Sequence, residues 1–246
     1  MIKYHGTPFG GSKSEAAEAL IGRHAFVSYA ASHHLDVCLD VCQSIAIDNG
    51  AFSAWKSGKV IDWEDYYTWV EKYIRHPRLD FVIIPDEIEG DEEANYKLIA
   101  GWSKRFSGHD YHKGVPVWHM HESNTKLSYL AQSHQRVAIG SSAEFSQVGS
   151  PQWHERMRWV MRILCDKNGQ PMTKIHMLRG LDPDVFTKYP FHSADSTNAA
   201  RNCNIKDRWI GTYPPPSNSW RARVIMARIE AFNSPERFDC LPDWLK

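Results

Sequence analysis

Residues 80–106, DFVIIPDEIEGDEEANYKLIAGWSKRF, hold the decision about the fold. The opening DFVIIPD (80–86) is a short, β-rich apolar run that stops at a proline and an aspartate. After a brief loop, DEEANYKLIAGWSKRF (91–106) spaces its apolar residues three and four apart and carries acids in its first turn, which is helix patterning. A strand followed by a helix makes one unit, and the unit recurs. Similar β-rich runs lie at IKYH (2–5), AFVSYA (25–30), SIAID (44–48), VPVWHMH (115–121), RVAIG (136–140), TKIHML (173–178) and FHSAD (191–195). Helical periodicity fills most of the intervals. WEDYYTWVEKYIRH (63–76) follows Asp62 as N-cap, and PQWHERMRWVMRILC (151–165) starts on a proline.

Eight strands alternating with helices in 246 residues predict one (β/α)8 barrel domain over residues 1–246, with a C-terminal basic helix at about 219–232. A doubly wound open sheet is the alternative. Against it, no GxGxxG follows the first strand, and GTPFGG (6–11) lacks the Lys-Ser/Thr ending of a phosphate loop.

Lys plus Arg and Asp plus Glu are both 29, so the chain is not a generally basic nucleic-acid coat. A local basic patch is nevertheless present in RNCNIKDRW (201–209) and SWRARVIMAR (219–228). No apolar run reaches the roughly 18 residues of a membrane span. The first residues, MIKYHGTPFGG, contain no signal-length apolar segment, so a cytoplasmic location is expected. The five cysteines contain no CxxC pair, which suggests reduced thiols and no structural zinc. Cys38 and Cys42 have helical spacing and read as core.

Three of the expected strands end in or just before aspartate: Asp48 in SIAIDNGAF, Asp86 in VIIPDEIEG and Asp195 in FHSADST. Each could simply form a turn. In a barrel, though, the C-terminal ends of the strands carry the chemistry, and three acids would converge on one mouth. Converging carboxylates suit cleavage at an acetal-like carbon, whether of a sugar or at C1′ of a nucleoside. Two other uses stand beside this one. Asp86 with His119 and His121 could serve a metal-dependent hydrolase of a small phosphorylated metabolite, one of the two histidines facing the mouth. A barrel that binds nucleic acid without catalysis is the third.

The order DNGAF, PDE, AIG, KIHMLRG, SADST, from about Ser44 to Arg201, resembles the tRNA-guanine transglycosylase superfamily, and most of all its short, phage-associated DpdA-type relatives that act on DNA. The resemblance implies a barrel that breaks a base–sugar N-glycosidic bond without a cofactor or metal. It implies Asp195 as the nucleophile and Asp48 as the acid that handles the proton. Asn49 and Phe52 would shape the pocket floor, Asp86 would read the polar edge of the base, and Gly140 would open a segment offering backbone groups to it. The sequence departs from the tRNA enzymes in having Ser141 and Ser142 after Gly140 and His119 within WHMH at the base-reading position. It also lacks their cysteine-rich C-terminal zinc module. These departures favour a different, modified base in DNA, released by excision or exchange in phage DNA modification or anti-phage defence. Extruding a base needs aromatic walls and cationic contacts. Phe52, Trp55 and Trp118 are candidates for the walls. Lys56, Lys59, Arg179, Arg201 and Arg208 are candidates for phosphate contacts. Ser196 and Thr197 read as groups that hold Asp195 in position, and Arg201 also as a carboxylate partner.

Overall fold

The structure, a computed structural model, describes residues 1–9 and 12–239, apart from the side chains of Lys206 and Arg208. Nine parallel segments form a nearly closed barrel: β1 (Ile2–Gly6), β2 (His24–Ser28), β3 (Ser44–Asp48), β4 (Leu79–Ile83), β5 (Gly114–Val115), β6 (Val117–His119), β7 (Arg136–Gly140), β8 (Lys174–Met177) and β9 (Ser193–Ser196). Their order around the sheet is β5-β4-β3-β2-β1-β9-β8-β7-β6. β5 and β6, at the two ends of that order, are halves of one strand divided at Pro116, whose nitrogen has no proton for the ladder. One half bonds to β4, with Ile84 N donating to Val115 O at 3.0 Å; beyond the break, Ala138 N of β7 donates to Pro116 O at 2.9 Å. The covalent chain therefore spans the gap, and eight strand positions surround the axis. Every expected strand is present. The run at 25–30 yields to a 3-10 turn from Tyr29, because the chain there must leave the barrel for its helix.

Strand periodicity divides the side chains into two sets. Tyr4, Phe26, Ala46, Phe81, Ile83, Val115, Val117 and Ala138 fill the interior, small residues making room for the rings. Alternate positions such as Val27, Ile47 and Val82 point outward to the helices, as do Trp118, Val137 and Ile175 on the other side. Trp118 is thus core, fully buried, with its indole N–H donated to Ser123 O at 3.0 Å. It forms no pocket wall, because alternation puts Val117 and His119 inward on either side of it. The floor of the barrel is polar: Tyr4 donates to Asp80 at 2.6 Å and Arg136 to the same carboxylate at 3.0 Å.

The helices begin where their caps dictate. Asp62 accepts from Glu64 N at 2.9 Å, opening the helix Trp63–Glu71. Asp91 caps Glu92–Arg105, Ser150 caps Pro151–Leu164, and Ser217 caps Asn218–Glu230. Cys38 and Cys42 are buried in the core, and Cys240 lies outside the described residues. Among the described residues, no helix is long and apolar enough to cross a membrane.

Candidate active site

The C-terminal ends of the strands enclose a cavity of about 670 Å³, the size range of small-molecule sites. Asp48, Asp86 and Asp195 all line it. So do Asn49, Phe52, Lys56, His119, Gly140, Ser141, Arg179 and Arg201. Arg208 belongs to the turn Lys206–Trp209, and its side chain is outside the described residues.

Asp48 ends β3, and the chain turns sharply behind it. Gly50 sits at φ +82°, where a Cβ would come within 3.0 Å of Ala30 N, so only glycine permits the turn without strain. That turn brings Gly50 N to 3.2 Å from Asp48 Oδ2. Asp48 retains some solvent contact, yet protein surrounds its carboxyl. Desolvation above all, opposed by the Ser28 hydroxyl and aided by the nearby anions Asp195 and Asp86, pushes its pKa up to about 7, with the Gly50 amide pulling slightly the other way. At neutral pH this acid is poised to hold or release a proton.

Asp195, on β9, is 5% exposed. Its Oδ1 accepts from Arg179 N at 2.9 Å, and His176 Nε2 stands 3.5 Å from the same oxygen. Oδ2 has no hydrogen-bond partner among the described residues. Arg179 is at φ +58°, a conformation that costs a non-glycine residue about 1 kcal/mol or more and that aims its amide at the carboxylate. The Arg179 side chain crosses the mouth, donating to Ser141 O at 2.6 Å and lying 4.6 Å over the Phe52 ring. Ser196, by contrast, does not hold Asp195: its hydroxyl accepts from Asn198 N at 3.0 Å. A serine at the strand end serves the next helix, while the Arg179 amide fixes the acid and the His176 ring stands behind it.

Asp86 is held by two side chains. Asn49 Nδ2 donates to Oδ1 at 2.5 Å, and His119 Nε2 lies 2.8 Å from Oδ2. Asn49 also donates to Ile84 O at 2.8 Å and accepts from Ala51 N at 2.9 Å, which sets the orientation of its amide. His119 is the histidine that joins Asp86. His121 is exposed and instead meets Ser142 Oγ at 2.7 Å. Gly140 makes room for the His119 ring, since a Cβ there would lie 2.9 Å from Nδ1. Its carbonyl is already taken by Met120 N at 2.9 Å. The hydroxyl of Ser141 likewise accepts from Trp153 Nε1 at 2.9 Å.

Two parts of the site escaped sequence reasoning. His176, fully buried, is bonded through Nδ1 to Ser193 Oγ at 2.8 Å and packs against the rings of Phe81 and Phe26. Burial pushes its pKa down, keeping the ring neutral behind Asp195. Its place one residue before the strand end, inward by alternation, was the available signal. The second part is a buried ion pair, Lys126 Nζ to Glu122 Oε1 at 2.5 Å. Glu122 Oε2 accepts from His119 N at 2.9 Å, while Asn95 donates to Oε1 at 3.1 Å and accepts from Glu87 N at 2.8 Å. The pair therefore clamps the chain on both sides of the Asp86–His119 contact. Helical spacing of Glu122 and Lys126 reads as a surface pair, so nothing in the sequence marked it.

Among the described residues, no group of three or more His, Cys, Asp or Glu side chains is arranged to hold a metal ion. No family model and no curated protein matches the chain. A solved structure described as "Structural study of Project ID from Aquifex aeolicus VF5" aligns over 90% of this chain and 96% of its own, at 12% identity and a TM-score of 0.43. A likeness that slight carries no argument about activity.

Proposed function

We propose that this chain cleaves the N-glycosidic bond of a modified nucleobase in DNA, as a glycosylase or base-exchanging transglycosylase of the tRNA-guanine transglycosylase type. The observation that carries the reading is the pairing of two unlike acids in one cavity. Asp48 has its pKa raised to about 7, while Asp195 has one oxygen fixed by an amide and the other without a hydrogen-bond partner among the described residues. Environments that set two carboxyls apart assign acid and nucleophile.

In this mechanism Asp195 Oδ2 bonds to C1′ as the C1′–N bond breaks, and the electron pair leaves with the base. Asp48 delivers its proton to the departing nitrogen. Asp48, now a carboxylate, then takes a proton from water as its oxygen bonds to C1′ and returns Asp195 to a free carboxylate. A second base in place of water gives exchange. Asp86, His119 and Asn49 face the base, and Phe52 with Arg179 forms its lid. The exposed Lys56 and Arg201 at the rim suit contacts to phosphate. A role in modifying phage DNA or in defence against it follows from such a substrate.

The test is incubation with several naturally modified phage DNAs, with mass spectrometry for released bases and an assay for abasic sites. Asp48→Asn should slow release by about 10²–10⁴-fold, and Asp195→Ala should abolish it with the fold intact. Full activity in Asp195→Ala would sink the proposal.

A further inference from the structure

We propose that the turn from Ile210 to Tyr213 is a wedge that enters the base stack of duplex nucleic acid beside the cavity. The inference rests on the function proposed above. It starts from exposure: Tyr213 is 103% exposed and Ile210 79%. Single apolar residues on a surface are ordinary. These two occupy the tip of one turn, and the turn is built rigidly from beneath.

Trp209, next to Ile210, is buried and takes Arg228 against its ring at 5.9 Å. Trp209 O accepts from both Thr212 N at 3.1 Å and Thr212 Oγ1 at 2.8 Å, and Gly211 takes φ +77° to close the turn. Three prolines follow Tyr213. Arg221, from the helix Asn218–Glu230, donates to Pro215 O at 3.0 Å, Pro216 O at 3.2 Å and Cys203 O at 3.4 Å. A segment anchored in this way loses little freedom on binding. Apolar side chains presented to water by an anchored backbone are prepared for a partner that covers them.

Position and charge identify that partner. The turn follows β9, the strand of Asp195, and precedes the helix that returns along the barrel, so it stands on the face where the cavity opens. Arg201, nine residues before the turn, is part of the cavity wall. Residues 201–223 contain Arg201, Lys206, Arg208, Arg221 and Arg223 against the one acid Asp207. Across the mouth, residues 51–61 hold Lys56 and Lys59 and no acid, with Phe52, Trp55 and Val60 exposed. The three aspartates lie at the strand ends inside the cavity, while Lys56 and Arg201 of its lining are exposed at the rim. Acid inside and cations at the rim suit a polyanion whose backbone stays outside while one uncharged base enters. A base leaving a duplex opens a gap in the stack, and an apolar wedge lowers the cost of that gap.

The experiment compares a short duplex and its single strand, each carrying 2-aminopurine, with wild type and the double variant Ile210→Ser/Tyr213→Ser. Wild type should bind both in a salt-dependent way and brighten the duplex probe as the base unstacks. The variant should bind the duplex about tenfold more weakly, the scale of one lost stacking contact, and leave its fluorescence low. Its single-strand affinity and melting temperature should match wild type. Duplex binding and brightening equal to wild type in the variant would overturn the wedge, as would failure of wild type to bind DNA. Success here without base release from any DNA would sink the cleavage mechanism alone.

Discussion

Asp48→Asn should make the protein more stable above neutral pH while it disables catalysis. The folded chain holds the Asp48 proton more tightly than the unfolded chain, because the pKa rises from 3.8 to about 7 on folding. Below about pH 4 both states are protonated, and the burial of Asp48 costs nothing extra. Between about pH 4 and 7 the unfolded chain alone sheds the proton, and the folded state loses ground. Above about pH 7 the penalty is complete. At about 1.36 kcal/mol per pH unit, its ceiling is about 4 kcal/mol, and residual solvent contact at the mouth reduces the expectation to roughly 2 kcal/mol. Asparagine keeps the shape and never ionises. Urea unfolding of wild type and Asp48→Asn across this pH range reads the difference directly, since all other groups largely cancel. The gap should be near zero in acid, widen toward neutrality and level off. A flat or narrowing gap would refute the claim that burial and the anions Asp195 and Asp86 raise this carboxyl. The alkaline limb of base release in wild type should fall at the same pH.

Two other perturbations probe the frame around the acids. Gly140→Ala pushes a methyl against His119 Nδ1, at 2.9 Å, and Val117 Cγ1, at 3.2 Å. It should cost about 1–3 kcal/mol and raise KM more than it lowers kcat; thermal melting and steady-state kinetics check both. Lys126→Met strands the Glu122 carboxylate in the core and should cost about 3–5 kcal/mol. The neutral double variant Glu122→Gln/Lys126→Met should recover most of that loss, measured by denaturant unfolding, because a glutamine carbonyl can still accept from the His119 amide.

The barrel was legible because its signal is local and repeated. Each β-rich run, as in SIAID, is followed by a helix whose cap, such as Asp62 or Ser150, is written beside it. Residues near the strand ends could therefore be placed at one mouth before any contact was known, and Asp48, Asp86 and Asp195 line one cavity. What each residue does there was less accessible. Gly140 looks like a backbone donor in sequence but serves as space for an imidazole. Ser196 looks like a support for Asp195 but bonds to Asn198. Trp118 lies one position from His119, and the pleat directs it away from the cavity; His121 lies two positions on, past the end of β6, and the turn carries it out to Ser142.

The sequence by itself determined the alternation of strands and helices and the set of acids at the strand ends, because period and capping are properties of neighbouring residues. Only the tertiary structure decided how those acids differ. The raised pKa of Asp48, the hold of the Arg179 amide on Asp195, and the buried Asn95–Glu122 contact behind His119 all join residues far apart in the chain. Desolvation and Coulomb interaction act through space, so they exist only once the barrel has closed around them.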